Sequence, residues 1–140
     1  RIYVAGPLTA DTKEGKEKNV AAASAIGIEI MKRGHLAHVP HFNQPYWDGL
    51  VEYEKMMELD FTILHRWATA LFFMVPSPGA NRELDLAKAL GLKIYVNFDE
   101  LPDLRFPLRV LDETAAEEYN KHTIHYNQAI YPRDLYFRNN

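Results

Sequence analysis

The chain has no cysteine. That absence excludes a disulfide framework, a thiolate zinc site and a cysteine nucleophile together, and it suits a reducing, cytoplasmic setting. There is no surplus of one charge either, because 16 lysines and arginines stand against 19 acidic residues for a net charge of −3. On that balance neither a nucleic-acid polymer nor an anionic membrane is an expected partner, which leaves small molecules and proteins. No apolar run approaches the ~18–20 residues that span a bilayer, and the N-terminus reads as a strand, not as a signal peptide. Internal repeats, linkers and low-complexity segments are missing too. The first residue is Arg1, not methionine, as trimming of a short leader would leave it. What is present is an ordinary globular composition, 47% hydrophobic and 25% charged over 140 residues. One domain over 1–140 is the expectation, able to fold without a covalent or metal staple.

Ile2-Tyr3-Val4-Ala5 is a short β-rich run stopped by Gly6-Pro7, which fits a buried strand ending in a loop. After a polar stretch, Val20, Ala23, Ile26, Gly27, Ile30 and Met31 recur at helical spacing, and Arg33-Gly34 ends that helix with a cation and then a glycine. Residues 36–39 read as a second strand closed by Pro40. Residues 41–50 hold Pro45, Asp48 and Gly49 among aromatics and are predicted to be a long loop poor in regular structure. A helical period covers 51–67, and the continuous apolar run 71–75 is the signature of a strand buried on both faces. Residues 77–80 read as a turn, 81–90 as a helix closed by Gly91, and 92–96 as a strand. Strand and helix alternate throughout, which predicts right-handed crossovers and an α/β three-layer sandwich with a parallel sheet of four to five strands. The core is expected over about 2–102. Within 103–140, residues 105–111 are a candidate fifth strand, a helix is expected from Thr114 to about Gln128, and the aromatic tail with Tyr131, Tyr136 and Phe137 is expected to dock, for instance on a neighbouring subunit.

Asp60 is the first residue to suggest chemistry. Its helical neighbours Met56, Met57, Ile63, Leu64 and Trp67 place it on the apolar stripe, while Glu52, Lys55 and Glu58 mark the solvated face. A buried carboxylate must be paired, protonated or at the mouth of a cavity, and upward displacement of its pKa suits a general acid. The alternative is an Asp at the edge of the stripe, capping a neighbouring loop. Glu83 is the second candidate, in the first turn of the helix after the most hydrophobic strand, with Leu86, Ala87 and Leu90 continuing its face toward the core. In open parallel sheets ligands bind beyond the carboxyl ends of the strands. The macrodipole alone also accounts for a glutamate near a helix start.

The loops Ala5-Gly6-Pro7-Leu8-Thr9 and Ser77-Pro78-Gly79-Ala80-Asn81 should share that sheet edge, each offering glycine, a hydroxyl and backbone N–H groups to an anion. Neither matches a Walker or dinucleotide fingerprint, and a plain turn explains each equally. His35, His38 and His41 do not make a metal site, because strand alternation sends His35 and His38 to opposite faces. His41 with Phe42, Tyr46 and Trp47 could line a pocket and hold a nucleobase by stacking, or simply pack a loop.

Taken together, Ile2-Tyr3-Val4-Ala5-Gly6-Pro7, Glu58-Leu59-Asp60 and Ser77-Pro78-Gly79-Ala80-Asn81-Arg82-Glu83-Leu84 make the sequence resemble the nucleoside 2-deoxyribosyltransferase superfamily, including its nucleotide N-hydrolase branch, over about 2–102. The resemblance implies a flavodoxin-like sheet and an active site at its carboxyl edge, often completed by a second subunit, so a homodimer or higher homo-oligomer is expected. It implies Glu83 as the nucleophile on the anomeric carbon, Tyr3 as the group that holds it, and Asp60 as the acid/base that assists departure of the base. Such glycosyl transfer uses two carboxyl groups about 5 Å apart and needs no metal or organic cofactor.

Ser77 is a departure that sharpens the substrate. Deoxyribosyltransferases acting on free nucleosides typically carry an Asp at this place, whereas the nucleoside 5′-monophosphate N-hydrolases carry a serine that accepts the phosphate. A carboxylate would repel that dianion; a hydroxyl and helix N–H groups would bind it. The first loop departs the other way, with Pro7 and Thr9 where those hydrolases usually carry Ser or Arg, so Thr9, Lys13 or Lys16 must substitute. Arg82 is available either as the missing positive charge or as a surface partner of Glu52 or Asp85. The implied substrate is a nucleotide or nucleoside, with Gly6, Pro7, Thr9, Ser77, Gly79 and Asn81 around the sugar-phosphate and His41 and Phe42 near the base. Base exchange on free nucleosides and a non-catalytic nucleotide-binding module are the alternatives.

Overall fold

The computed structural model describes residues 1–104. The candidate fifth strand, the C-terminal helix and the aromatic tail lie outside the described residues. Four strands, β1 (Ile2–Ala5), β2 (Ala37–His38), β3 (Ala70–Phe73) and β4 (Lys93–Tyr95), form one sheet in the order β2-β1-β3-β4 with every pair parallel. Helices α1 (Lys13–Lys32), α2 (Gln44–Trp47), α3 (Tyr53–Arg66) and α4 (Pro78–Ala89) connect them, with a 3₁₀ turn at Pro40–Phe42. This is the expected α/β class, consistent with a flavodoxin-like sandwich.

Alternation along the strands builds two cores. Ile2 and Val4 of β1 and Ala70 and Phe72 of β3 point to one face, where they pack with Ala23 and Ile30 of α1. Tyr3, Ala5 and Leu71 point to the other, against Leu64 of α3 and Ala80 and Ala87 of α4. Going from β1 to β2 the chain moves one way along the sheet, and from β2 to β3 to β4 it moves the other. Crossovers of one hand therefore put α1 on one face and α3 and α4 on the opposite one. The reversal falls between β1 and β3, so a crevice opens beyond their carboxyl ends.

Several element boundaries differ from the sequence reading, and proline explains two of them. Pro45 and Pro78 were read as breakers, yet each occupies a first-turn position, where the missing N–H leaves nothing unsatisfied. Residues 41–50 accordingly include a helix, and α4 starts at Pro78 with Ser77 as its N-cap, its hydroxyl oxygen accepting from the Ala80 N–H at 3.2 Å. Helix α1 likewise begins at Lys13, capped by Thr12, well before its first apolar position. Met31, placed on the apolar period, is 54% exposed. Among the described residues no helix is long and apolar enough to cross a membrane.

Gly27 sets how closely α1 approaches the β2 side of the sheet, since a Cβ there would stand 2.6 Å from Cγ2 of Val39. Val39 is buried and β-branched, so it has little room to turn away. Gly27→Ala is expected to lower stability by about 1–3 kcal/mol in urea unfolding, although helix propensity alone favours Ala by about 1 kcal/mol. In a Val39→Ala background the same substitution should cost less, and equal costs in both backgrounds would show that this contact is not what fixes the spacing.

Candidate active site

The crevice beyond β1 and β3 is a cavity of about 580 Å³, within the size range of small-molecule sites. Its walls come from the loop after β1 (Gly6, Leu8, Thr9), the segment around α2 (His41, Gln44, Asp48), α3 (Met56, Met57, Asp60) and the start of α4 (Ser77, Gly79, Glu83). Tyr3 lies beneath it on β1, fully buried, and donates its hydroxyl to Oε1 of Glu83 at 2.6 Å.

Glu83 reaches this position because α4 begins earlier than the sequence indicated. With the helix starting at Pro78, Ala80, Glu83 and Ala87 fall on its buried face, and Glu83 lies beyond the first turn. The macrodipole acts mainly within that turn, so it does not account for a glutamate here that is only 5% exposed. Asp60 occupies the buried stripe of α3 with Met57 and Leu64 and is 3% exposed. It caps no loop backbone; its Oδ2 accepts from Nε2 of Gln44 at 2.5 Å. Gln44 belongs to α2, in the segment read as irregular, and was missed for that reason.

Burial dominates the ionisation of this group. It pushes the Glu83 carboxyl up to about 8; the Tyr3 hydrogen bond opposes that rise and the nearby Asp60 charge adds to it. Burial likewise pushes Asp60 up to about 6, against the hydrogen bond from Gln44 and the favourable influence of the nearby Tyr3 hydroxyl. Tyr3 rises well above its ordinary value, chiefly by burial and then by the charges of Glu83 and Asp60. Two carboxyl groups and one phenol thus act as a unit that carries a single carboxyl proton near neutrality. Such a unit can present a carboxylate to an electron-poor carbon and a proton to a departing atom.

The remaining expected residues divide. Gly6, Thr9, His41, Ser77 and Gly79 line the cavity. A Cβ on Gly6 would collide with the sulfur of Met74, so a larger residue where β1 leaves the sheet would force that flexible side chain to shift. Burial lowers the pKa of His41 and keeps its ring neutral. Its Nε2, 3.1 Å from the Pro7 carbonyl oxygen, is therefore the donor, and Nδ1 is a buried acceptor with no partner among the described residues. Pro7 takes part only through that carbonyl, and neither Phe42 nor Asn81 lines the cavity. Phe42 is 49% and Tyr46 79% exposed, and Trp47 faces a separate groove with Leu59 and Thr62. The stacking platform expected from these aromatics is not assembled, because Phe42 at the end of the 3₁₀ turn and Tyr46 and Trp47 of α2 lie off the cavity, while Gln44 and Pro45 of α2 line it. Arg82 corrects a further expectation: its guanidinium forms a two-pronged pair with Glu54, at 2.8 and 2.9 Å, rather than with Glu52 or Asp85, and points away from the cavity. Lys13 pairs with Glu17, whereas Lys16 lines the cavity. The three histidines stand apart, His35 at the Pro102 carbonyl and His38 beside the rings of Tyr3 and Trp67.

A carboxyl whose pKa is raised by folding contributes stability below its unfolded value, and that contribution is lost as pH rises through the folded value. The stability tied to Glu83 is therefore lost progressively between about pH 4.5 and about pH 8, and the full penalty stands above that. Glu83→Gln, which keeps an acceptor for Tyr3, should melt higher than the wild type at pH 9, by roughly 1–4 kcal/mol, with the margin closing toward pH 4. A margin independent of pH would show that Glu83 does not titrate in this way. Set against protein-family models, curated proteins and solved structures, the chain matches none of them.

Proposed function

We propose that the protein is an N-glycosidase that hydrolyses the base–sugar bond of a nucleoside 5′-monophosphate. The observation that carries this reading is the buried unit in which Tyr3 donates to Glu83 while Gln44 holds Asp60 on the wall of the same cavity. In the first step a Glu83 carboxylate oxygen attacks the anomeric carbon, the carbon–nitrogen bond breaks toward the base, and Asp60 supplies the proton that the base takes away. In the second step Asp60 accepts a proton from water, which attacks the same carbon and releases the sugar phosphate from Glu83. The active form has its single proton on Asp60, whereas burial alone favours Glu83. The Tyr3 hydroxyl, which favours the ionised form of Glu83, eases that transfer.

Ser77 and the Gly79 N–H at the start of α4 are neutral donors suited to the 5′-phosphate, and a carboxylate in place of Ser77 would repel it. The chemistry uses no metal or organic cofactor. A second copy of the chain is the proposed cover for the exposed apolar residues Phe42, Tyr46, Leu50 and Tyr53, of which Leu50 is 82% exposed.

Incubation with ribo- and deoxyribonucleoside monophosphates and the matching nucleosides, following free base by chromatography, tests the activity. Base should be released from monophosphates, with Glu83→Ala about 10³-fold slower or worse and Asp60→Asn about 10²–10⁴-fold slower. Release indifferent to Glu83→Ala sinks the proposal, and base exchange outpacing hydrolysis when a free base is added assigns the protein to transfer instead. Because one proton must remain on the pair, kcat/KM should be bell-shaped in pH with limbs near about 6 and about 8.

A further inference from the structure

Lys16 is the one lysine or arginine among the described residues that lines the cavity. Neither of the other candidates lines it: Arg82 forms its two-pronged pair with Glu54, and Lys13, 85% exposed, stands 3.8 Å from Glu17. The cavity wall otherwise carries the carboxyl groups of Asp48, Asp60 and Glu83, and His41 is neutral. A phosphate monoester brings a further −1.5 to −2 charges at neutral pH. Without a cation, an anionic substrate would meet net repulsion there.

That cation is already engaged. Nζ of Lys16, in the first turn of α1, lies 2.7 Å from Oδ2 of Asp48, and the pair holds the Asp48 carboxyl below its usual range. Both side chains are about half exposed, and ion pairs in such a setting hold weakly. Asp48 is followed by Gly49 at φ +76°, where a Cβ would meet nothing within 4 Å, and then by the exposed Leu50. The turn itself is held by the Leu50 and Val51 N–H groups on the Trp47 carbonyl, so the exposed Asp48 side chain withdraws by rotating about its own bonds, without disturbing a packed core.

We propose that Lys16 is the residue by which the site recognises the anionic end of its substrate, and that Asp48 is the stand-in carboxylate it holds until that anion arrives. On binding, the phosphate replaces Asp48 at Nζ and Asp48 returns to water. The exchange makes the cavity selective, because an uncharged nucleoside has nothing to offer Lys16 in place of Asp48. The proposal rests on the glycosidase reading for what the phosphate is attached to, but not for the exchange itself.

Titration calorimetry with inorganic phosphate, on the wild type, Lys16→Gln and Asp48→Asn, reads the exchange without any turnover. Lys16→Gln should weaken phosphate binding at least tenfold, and Asp48→Asn, which removes the competitor, should tighten it severalfold. A wild type that does not bind phosphate, a Lys16→Gln variant that binds it equally well, or an Asp48→Asn variant weakened as much as Lys16→Gln would each overturn the proposal. In the base-release assay the preference for monophosphate over the matching nucleoside should fall at least tenfold in Lys16→Gln. Base release with that preference intact overturns the role of Lys16 and leaves the glycosidase standing. Phosphate binding that depends on Lys16, in a protein releasing no base from any nucleotide, upholds the exchange and removes the glycosidase.

Discussion

The hydrogen bond from Tyr3 to Glu83 joins residues 80 positions apart, and the geometry of the site depends on it. Tyr3 stands on β1, which has a strand on each side and helices on both faces, so its hydroxyl has few ways to move. Glu83 stands on α4, whose phase is set by the Ser77 cap and Pro78. Asp60 arrives from a third element, α3, and is tied in turn to α2 through Gln44. Four separate stretches of chain thus converge on two carboxyl groups. β1, α3 and α4 are positioned by apolar packing that would exist without the site, whereas α2 buries no residue of its own.

Burying two carboxyl groups side by side opposes folding. Burial raises both pKa values, and the charge of one raises the other, so the folded state prefers to keep a proton that the unfolded chain would release. The Tyr3 and Gln44 bonds offset part of that penalty and also hold the oxygens in place. A pair of buried carboxyl groups that costs stability and lines a cavity is what marks this group as a candidate site. The Lys16–Asp48 pair at the exposed side is of another kind, weak and replaceable.

The route from sequence to site had uneven visibility. Asp60 could be placed on the buried stripe because helical period needs only local spacing, and the structure puts it there with Met57 and Leu64. Glu83 was legible as core-facing, but its helix start was misplaced, since Pro78 signals both a turn and a first helical turn. The same ambiguity at Pro45 hid α2 and with it Gln44. The aromatics Phe42, Tyr46 and Trp47 suggested a stacking surface by composition, and only the direction in which a four-residue helix faces removed it. Partners distant in sequence, such as Glu54 for Arg82 and Asp48 for Lys16, had no local signal at all.

By itself the sequence determined the class of the fold and the core-facing phase of Asp60 and Glu83, because alternation of strand and helix and the phase of an apolar stripe are properties of neighbours along the chain. The tertiary structure decided which of the candidate groups meet. It brought Tyr3, Gln44, Asp60 and Glu83 to one cavity and turned Phe42, Asn81 and Arg82 away from it. That decision belongs to packing across the sheet, which joins stretches far apart along the chain.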